Sequence, residues 1–468
     1  MSNFKALVDQ LRGILPAHVV RSDPESLTFY GKDWLKDFTP APSVVVFPET
    51  IEQVQAIVRI CNDLRVGLVP SGGRTGLSGG ATATEGEVVL SLERMRKILE
   101  VNRIDRTIRC QAGVVLEQLQ KAATEASLYF PVDFSSRGSA QIGGNIATNA
   151  GGIRVIKYGN FRESVLGLTV VTGRGDILEL NGSLFKNNSG YDLRNLFIGS
   201  EGTLGIIVEA TLRLTSPPGD LARILVGLED HHAILPLLTF CRDTFANLSA
   251  FEFMEKLPFE EVIARRGLRN PLVGSYAAYA LIECEVSSQA DREHIMESFG
   301  VAFENNLIKD VVVSESSAQA RELMDLRDLI SETLSQHYTL HKNDISVPVP
   351  LIPAFLDELR RAIQETYPTF RVAVFGHVGD GNLHVNVLKP DEMSDQDFWS
   401  ACHNSDHTIF KTVRAFHGSI SAEHGVGLLK RDFVHYTRSA EEIALMRGIK
   451  ATFDPHGIMN PKKMLPAE

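Results

Sequence analysis

The pattern of apolar and polar positions predicts alternating strands and helices in the first half of the chain. Residues 44–48, 66–70 and 87–92 are short apolar runs typical of buried strands, and residues 206–214 form a longer one. Helical periodicity follows the first run, and Thr50 is a suitable N-cap for that helix. The connections after the later strands are rich in glycine, so strand ends and glycine loops organise this half.

A second pattern lies in the other half of the chain. Residues 318–336 predict one helix, because its apolar positions fall on a single stripe at Leu323, Leu326, Ile330 and Leu334. Residues 371–376 and 385–388 read as two strands, and Asp380-Gly381 between them favours a two-residue hairpin turn. That turn would place His377 directly opposite His384.

Two facing imidazoles can share one metal ion, because each supplies a neutral nitrogen at a metal–N distance of about 2.0–2.1 Å. Asn386 would point to the same face, since side chains alternate along a strand. The alternative is a hairpin whose histidines stack or face water. His403 and His407 also share a helical spacing, but their polar helix predicts a solvent-exposed face.

Length and composition narrow the choice of protein class. A chain of 468 residues predicts two or three domains, and 44% hydrophobic and 22% charged residues are ordinary for a soluble protein. The net charge of −11 argues against a general nucleic-acid binder. The five cysteines are scattered without a CxxC pair, which fits a reducing compartment. Residues 1–12 predict a short amphipathic helix rather than a signal peptide, and no run of 18 apolar residues occurs, so a cytoplasmic protein without a transmembrane segment is expected.

Residues 71–80 contain five glycines in ten positions. Successive free N–H groups in such a loop form a nest for an anion such as phosphate or pyrophosphate. A Rossmann fingerprint is excluded because a strand follows, and a P-loop is excluded because Gly-Lys-Ser/Thr is absent. The alternative for this segment alone is a mobile surface loop. Further glycine clusters at residues 138–152 and 198–205 favour one extended ligand, such as a dinucleotide.

Four motifs carry a specific resemblance: Pro70-Ser-Gly-Gly-Arg-Thr-Gly76, Pro131-Val-Asp133, Gly143-Gly-Asn-Ile-Ala-Thr-Asn-Ala-Gly-Gly152 and Gly199-Ser-Glu-Gly-Thr-Leu-Gly205. Over residues 10–220 the chain resembles the flavin domain of the vanillyl-alcohol oxidase / p-cresol methylhydroxylase superfamily. The resemblance implies an α+β fold. A two-part FAD-binding domain would cover residues 1–218. Residues 219–418 would form an α+β substrate (cap) domain that contains the histidine hairpin. Residues 419–468 would form a C-terminal segment that completes the active site.

The same resemblance implies a set of FAD-binding residues. The first two glycine segments contain no histidine, so FAD is expected to bind non-covalently. The implied residues are Pro70, Ser71, Gly72, Gly73, Arg74, Thr75, Gly76, Ser78, Gly79, Asp133, Gly138, Gly143, Gly144, Asn145, Thr148, Gly151, Gly152, Glu201, Gly202, Gly205, Ile206 and Asn460.

Arg327 and the segment Gly418-Ser-Ile-Ser-Ala-Glu-His-Gly-Val-Gly427 supply further candidates. No acid lies three or four positions from Arg327, so no intrahelical ion pair explains it; it either reaches water or binds an anion. With Ser331 one turn away, Arg327 would suit a carboxylate. Glu423 could complete a three-ligand metal site with the two hairpin histidines, and adjacent His424 is then the candidate general base.

A second resemblance covers these motifs. His377-x6-His384-x-Asn386, Ser421-Ala-Glu-His-Gly425 and Phe453-Asp-Pro-His-Gly-Ile-Met-Asn-Pro461 resemble the FAD-linked 2-hydroxyacid dehydrogenases. Arg327-x3-Ser331 and His341-Lys-Asn-Asp-Ile-Ser-Val-Pro348 look most like the branch that acts on D-2-hydroxyglutarate. That branch holds the distal carboxylate with an arginine, a threonine and a lysine, which implies Arg327, Ser331 and Lys342 here, with serine in place of threonine.

The expected reaction is the oxidation of D-2-hydroxyglutarate to 2-oxoglutarate. FAD would accept the hydride, a divalent ion on His377, His384 and Glu423 would bind the substrate, His424 would take the hydroxyl proton, and His384 and Asn386 would contact the substrate. Zinc is the expected ion, although a His₂Glu set also suits cobalt or manganese.

Three alternatives stay open at this stage. The substrate could be D-lactate, glycolate or another short or apolar 2-hydroxyacid. The protein could be a metal-dependent hydrolase, or a flavin-binding subunit without its own dehydrogenase activity. The expected partner is an external electron acceptor, for example an electron-transfer flavoprotein or a quinone, and a homodimer is an assembly to test.

Overall fold

The computed structural model describes residues 2–467, and the side chains of residues 5–467. Within this range the α-helices are α1 (Ser2–Ile14), α2 (Pro24–Tyr30), α3 (Ile51–Leu64), α4 (Leu116–Glu125), α5 (Ile142–Ala147), α6 (Val155–Tyr158), α7 (Phe161–Ser164), α8 (Arg194–Phe197), α9 (Ile234–Thr244), α10 (Lys256–Arg266), α11 (Gln289–Glu304), α12 (Ser317–Asp328), α13 (Ile330–His337), α14 (Ile352–Thr366), α15 (Asp395–Ala415) and α16 (Ala440–Phe453). Short 3₁₀ helices lie at Ala17–Val19, His231–Ala233, Val349–Leu351 and Arg431–Tyr436.

The strands of the described range form three sheets. They are β1 (Val20–Arg21), β2 (Val44–Val46), β3 (Leu68–Ser71), β4 (Val88–Ser91), β5 (Ile98–Asn102), β6 (Thr107–Gln111), β7 (Val165–Thr172), β8 (Ile177–Leu180), β9 (Gly205–Arg213), β10 (Asp220–Leu228), β11 (Leu248–Glu255), β12 (Ala278–Val286), β13 (Asp310–Val313), β14 (Leu340–Ser346), β15 (Arg371–Gly376) and β16 (Asn382–Leu388).

The chain divides into two compact units. The first unit comprises the residues up to Gly152, Gly159–Pro217 and the chain from Glu423 onward; the second unit comprises Ile153–Tyr158 and Pro218–Ala422. This differs from the predicted division into 1–218, 219–418 and 419–468, because the end of the chain is part of the first unit.

Hydrogen bonds explain why the C-terminal segment belongs to the first unit. Lys450 donates from Nζ to the carbonyl oxygen of Thr203 (2.8 Å), and Asn460 donates from Nδ2 to the carbonyl oxygens of Gly80 (2.8 Å) and Glu201 (2.7 Å). These contacts join positions more than 200 residues apart in the sequence, so local pattern alone does not reveal them.

Two sheets make up the first unit. One has the order β1-β2-β4-β3, in which β2, β4 and β3 run parallel, and the other has the order β5-β6-β9-β7-β8 with antiparallel neighbours. The predicted strands near residues 44–48, 66–70 and 87–92 are confirmed as β2, β3 and β4. Thr50 caps α3 as predicted, since its side chain accepts a hydrogen bond from the backbone N–H of Gln53.

A seven-stranded sheet with the order β13-β10-β12-β11-β15-β16-β14 organises the second unit. The pairs between neighbours are antiparallel. The predicted apolar stripe is confirmed, because Leu323, Leu326, Ile330 and Leu334 are buried in one core with side chains of β11 and β15. However, the single helix predicted over residues 318–336 is interrupted at Leu329, which separates α12 from α13.

Residues Ile153–Tyr158 belong to the second unit, although the residues on both sides of them in the sequence belong to the first. Arg154 pairs with the fully buried Glu283 of β12 (Nε to Oε1, 2.7 Å), and Lys157 pairs with Glu285 of the same strand (2.8 Å). Ion pairs to β12 therefore hold residues 153–158 in the second unit.

None of the described helices is both long enough and apolar enough to cross a membrane.

Lys463 is a buried amine in the first unit. It is 2% exposed, its Nζ makes no hydrogen bond to the part of the chain that the structure describes, and the carboxylate of Glu87 is 3.8 Å away. Burial lowers the pKa of Lys463 from its ordinary value of 10.5 to about 8, although Glu87 acts in the opposite direction. Between those two values the unfolded chain binds more protons than the folded chain, so stability must rise with pH in this window.

Lys463→Met is expected to remove that pH dependence. Between about pH 7.5 and about pH 9.5, the free energy of unfolding of the wild type should rise by roughly 2 kcal/mol more than that of the variant. Denaturant unfolding at the two pH values measures this difference. If the free energies of unfolding of the two proteins changed equally with pH, the pKa of Lys463 would not be lowered in the folded protein.

Candidate active site

The three glycine segments line one groove in the first unit. The predicted FAD-binding residues that line it are Pro70, Ser71, Gly72, Gly73, Arg74, Thr75, Gly76, Ser78, Gly143, Gly144, Asn145, Thr148, Glu201, Gly202, Gly205 and Ile206. The groove therefore brings together predicted residues that are as far apart in the sequence as Pro70 and Ile206.

The groove contains buried polar atoms whose hydrogen-bonding capacity is unused within residues 5–467. These atoms are Ser71 Oγ, Gln141 Oε1, Asn145 Nδ2 and Asp33 Oδ2. Such atoms are costly unless a ligand or water satisfies them. A ligand with both donors and acceptors, such as a flavin dinucleotide, fits this lining.

Two glycines of these segments are required by close backbone contact. A Cβ at Gly73 would lie 2.2 Å from the carbonyl oxygen of Ser139, and a Cβ at Gly152 would lie 2.0 Å from that of Asp133. These positions pack one glycine segment against another part of the first unit, so any side chain there would displace the backbone.

Some predicted FAD-binding residues are not in the lining of the groove. Asn460 instead ties the carbonyl oxygens of Gly80 and Glu201 together, and Asp133 pairs with Arg137 (3.0 Å). Also outside the lining are Gly79, Gly138, Gly151 and Gly152. Seven further residues that line the groove were not predicted as site residues. Three of them lie inside the glycine segments, Gly80, Gln141 and Ala147, and four lie outside those segments, Asp33, Ala81, Leu92 and Ile207.

Glu201 fixes the segment that carries His424. Its buried carboxylate accepts hydrogen bonds from the backbone N–H groups of Val426 and Gly427, both at 2.7 Å. Burial raises the pKa of Glu201, and the two N–H donors act against that rise. Ser78 Oγ donates to the carbonyl oxygen of His424 (3.1 Å), and His424 lines the groove. A candidate general base is thus held at the predicted flavin site.

In the second unit, the predicted two-residue turn at Asp380-Gly381 is wrong. The loop is longer, because the carbonyl oxygen of His377 accepts from the N–H groups of Asp380 (3.1 Å) and Asn382 (3.2 Å). Gly381 has φ +91°, and its carbonyl oxygen accepts from the N–H of Val347 (3.0 Å). This contact with a distant segment outweighs the local preference for a tight turn.

The longer loop shifts the strand register by two residues. His384 is paired with Phe375 rather than with His377. A shift of two leaves every side chain on its original face. The two imidazoles therefore still meet, with ring centroids 5.5 Å apart and planes at 82°.

Successive strands place four residues in one row across the sheet. The register pairs Met254 on β11 with Phe375 on β15. It also pairs Phe375 with His384 on β16, and His384 with Asp344 on β14. Residues in such a row point to one face. Asp344 is not among the predicted site residues, because its position beside His384 depends on a strand pairing that no local motif encodes.

Asp344 is a buried carboxylate with three nearby groups. Its Oδ1 lies 3.7 Å from Nδ1 of His384 and accepts from Nδ2 of Asn382 (2.8 Å), and its Oδ2 accepts from the backbone N–H of Ala422 (3.1 Å). Asp344 therefore fixes both the histidine strand and the chain at Ala422, the residue before Glu423.

Lys342, Asn386 and Ser331 are brought together on this face. Lys342 pairs in register with Asn386, two residues from His384, and its Nζ lies 3.5 Å from Oγ of Ser331 on α13. The structure thus places two of the three predicted carboxylate-binding residues in contact, although their role in substrate binding stays a prediction.

Arg327 has an acidic partner that the sequence analysis did not identify. Its Nε donates to Oε2 of Glu252 (2.7 Å), and its guanidinium lies over the ring of Phe375 (4.8 Å). The argument that no acid of its own helix pairs with Arg327 is confirmed, because Glu252 belongs to β11. Of the two possibilities left open for Arg327, contact with water or with an anion, the structure shows an anion, the carboxylate of Glu252.

Glu252 also contacts His377. Its Oε1 lies 2.7 Å from Nδ1 of His377, and the carboxylate is 0% exposed. Burial alone raises the pKa of Glu252, but His377 and Arg327 outweigh burial and hold that pKa below its ordinary value. The donor set of the second unit, two imidazoles beside two buried carboxylates, is compatible with a divalent metal ion.

The exposed histidines of α15 are confirmed as a solvent-facing pair. His403 and His407 are both exposed, and Nδ1 of His403 lies 2.7 Å from the carbonyl oxygen of Trp399.

Comparison with protein families gives two matches. Residues 42–181 match the FAD binding domain, and residues 218–464 match the C-terminal domain of FAD linked oxidases. The second match alone covers more than half of the chain.

Several curated relatives are similar over almost their whole length. The chain is 51% identical to the D-2-hydroxyglutarate dehydrogenase of Stutzerimonas stutzeri (strain A1501), covering 99% of both chains. It is 50% identical to that of Xanthomonas citri pv. viticola, covering 97% of this chain and 96% of the relative. It is 36% identical to the mitochondrial enzyme of Danio rerio, covering 97% and 84%.

Solved structures resemble the chain in fold. p-Cresol methylhydroxylase with substrate bound matches with a TM-score of 0.78 at 18% identity, covering 99% of this chain and 97% of the other. Alkyldihydroxyacetonephosphate synthase matches with a TM-score of 0.73 at 17% identity, covering 98% and 85%. The predicted α+β fold of the vanillyl-alcohol oxidase / p-cresol methylhydroxylase type is confirmed.

Proposed function

The chain belongs to the family of FAD-linked oxidases, and we propose that it is a dehydrogenase that oxidises D-2-hydroxyglutarate to 2-oxoglutarate. The observation that supports this most is the 51% identity over 99% of both chains to a D-2-hydroxyglutarate dehydrogenase. The placement of Lys342 beside Ser331 and Asn386, two residues from His384, is consistent with a diacid substrate.

The groove of the first unit would hold FAD. Ser71, Gln141 and Asn145 offer the buried polar atoms, and the glycines of the lining present backbone without side chains to the dinucleotide. FAD, when bound, supplies the hydride acceptor for the oxidation. No histidine lies in the first two glycine segments, so we expect non-covalent binding.

His377, His384 and Glu423 would hold a divalent ion, for which zinc is the expected choice. Glu252 and Asp344 lie beside the two histidines, and Ala422, the neighbour of Glu423 in the chain, is fixed by Asp344. Such an ion, when bound, would supply Lewis-acid chemistry at the hydroxyacid end of the substrate.

The side chains of the protein have separate tasks in this proposal. His424 accepts the proton of the 2-hydroxyl group at an imidazole nitrogen. Asn386 orients the C1 end of the substrate. Arg327, Ser331 and Lys342 bind the distal carboxylate, which a 2-hydroxy monoacid such as D-lactate lacks. Electrons then pass to an external acceptor, for example an electron-transfer flavoprotein or a quinone.

A substrate panel tests the proposed function. With a dye as electron acceptor, kcat/KM for D-2-hydroxyglutarate should exceed that for D-lactate and for glycolate by roughly 10²-fold, because a missing charged partner costs about 1.5–3 kcal/mol. A preference for D-lactate would contradict the diacid proposal and favour the monoacid alternative. A purified protein without flavin absorbance would contradict FAD binding itself.

Lys342→Met is expected to reduce the preference of the enzyme for the diacid D-2-hydroxyglutarate over D-lactate. Loss of one charged contact should lower kcat/KM for D-2-hydroxyglutarate by roughly 10–100-fold and leave kcat/KM for D-lactate nearly unchanged. Lys389→Met is a matched control, since Nζ of Lys389 contacts the carbonyl oxygen of Met393 and the carboxylate of Asp395 instead. Equal losses with both substrates would place Lys342 outside the distal-carboxylate site.

A further inference from the structure

Glu252 contacts two residues that the proposed function assigns to different ends of the substrate. We propose that Glu252 is a positioning residue that couples the metal-binding end of the site, through His377, to the carboxylate-binding end, through Arg327. The inference rests on the proposed function, because it assumes that His377 binds metal and Arg327 binds the distal carboxylate.

The contact with His377 selects the nitrogen that is available to a metal. Oε1 of Glu252 lies 2.7 Å from Nδ1, so the carboxylate favours a proton on Nδ1 and a lone pair on Nε2. Carboxylates in this position commonly fix the tautomer and ring orientation of metal-binding histidines. Glu252 thus prepares His377 as a ligand through Nε2.

The contact with Arg327 orients the guanidinium. Oε2 of Glu252 accepts from Nε, and Phe375 lies against the guanidinium plane at 4.8 Å. The two terminal nitrogens of Arg327 make no hydrogen bond to any of the residues whose side chains are described. They remain as the planar fork that binds a carboxylate in a bidentate manner.

A carboxylate is the side chain that this position requires. Nδ1–H of His377 and Nε–H of Arg327 are both donors, and both oxygens of a carboxylate accept. A glutamine would present an N–H to one of these donors. Because Glu252 is 0% exposed while Arg327 and His377 are 6% and 7% exposed, water cannot readily replace a lost contact.

Glu252→Gln tests the coupling with two binding measurements on the FAD-loaded protein. After removal of metal, the Kd for Zn²⁺, measured by competition with a chelating dye, should rise by roughly 10–100-fold. At saturating Zn²⁺, the Kd of 2-oxoglutarate, measured calorimetrically, should rise by about 10-fold or more, and that of pyruvate should change much less. A variant that binds Zn²⁺ and 2-oxoglutarate like the wild type would overturn the inference.

Glu283→Gln is the matched control. Glu283 is also 0% exposed, lies on the neighbouring strand β12 and accepts from two arginines, Arg154 and Arg223, but contacts neither His377 nor Arg327. Its Kd values for Zn²⁺ and 2-oxoglutarate should stay within about twofold of the wild type. Equal losses in both variants would show a general effect of disturbing a buried carboxylate and would overturn the specific role of Glu252.

Glu252→Asp keeps the inference testable if the glutamine variant does not fold. The shorter carboxylate cannot keep both contacts at full strength. Affinity for Zn²⁺ and selectivity for 2-oxoglutarate over pyruvate should therefore fall together. If the glutamine variant also folds, both losses should be smaller in Glu252→Asp than in Glu252→Gln. Loss of one without the other would overturn the coupling.

The wild-type protein distinguishes the two levels of the proposal. Wild-type protein that binds no divalent ion and discriminates against D-2-hydroxyglutarate would contradict the proposed function, and the inference with it. Wild-type protein that binds Zn²⁺ and prefers the diacid, together with an unaffected Glu252→Gln variant, would contradict the inference alone.

Discussion

His424→Gln is expected to lower kcat for D-2-hydroxyglutarate by roughly 10²–10⁴-fold, the usual contribution of a positioned general base. The imidazole is the proposed acceptor of the hydroxyl proton, and glutamine cannot take its place in that step. FAD content, read from the flavin absorbance, should not change. Glu201 holds the backbone N–H groups of Val426 and Gly427, and Ser78 holds the carbonyl oxygen of residue 424, so the segment keeps its shape in the variant.

His403→Gln is the matched control for this experiment. His403 is exposed on α15, and Nδ1 lies near the carbonyl oxygen of Trp399, so its replacement should leave kcat unchanged. Activity retained in His424→Gln would contradict the role of His424 as the acceptor of the hydroxyl proton. Equal losses in both variants would point to a general effect on folding.

Removal of the divalent ion with 1,10-phenanthroline is expected to lower turnover by roughly 10²-fold or more, because Lewis-acid stabilisation is worth several kcal/mol. The donor chemistry supports this expectation, since the imidazoles of His377 and His384 are 5.5 Å apart between ring centroids and each has a buried carboxylate nearby. Adding back Zn²⁺, Co²⁺ or Mn²⁺ should restore turnover to different extents and so identify the preferred ion.

The isomer 1,7-phenanthroline, which does not chelate, controls for non-specific inhibition. His384→Ala should reproduce the effect of the chelator and should contain less metal by elemental analysis. Flavin absorbance should persist in both cases, because the groove residues that would hold FAD belong to the first unit. Full turnover by protein that contains almost no metal would contradict the proposed metal site.

The glycine segments show how far local sequence leads to a site. Five glycines within residues 71–80, followed by two further clusters, indicated one extended anionic ligand, and the structure lines one groove with residues from all three clusters. Gly73 and Gly152 are predictable because a backbone that must approach another closely leaves no room for a Cβ. Asp33 was not predictable, because a lone polar residue gives no signal until the fold brings it to the groove.

The histidine hairpin shows where local rules fail. Asp380-Gly381 has the sequence of a tight turn, yet hydrogen bonds of the loop to Phe251 and Val347 select a longer one. The shift of two residues leaves His377 and His384 in contact, since the parity of the strand is unchanged. The proximity of the two imidazoles was therefore predicted correctly and the register wrongly, and the role of the histidines as metal ligands stays a prediction.

The sequence by itself determined most of the strands, the glycine loops and the candidates for the chemically reactive residues, because these depend on period, composition and short motifs. Tertiary structure decided which distant groups partner them. It paired Arg327 and His377 with Glu252, set Asp344 beside His384, and attached the end of the chain to the first unit. The physical reason is that a buried charge needs a partner, and that partner can lie anywhere in the sequence. Only strand order and register therefore decide which carboxylate pairs with which donor.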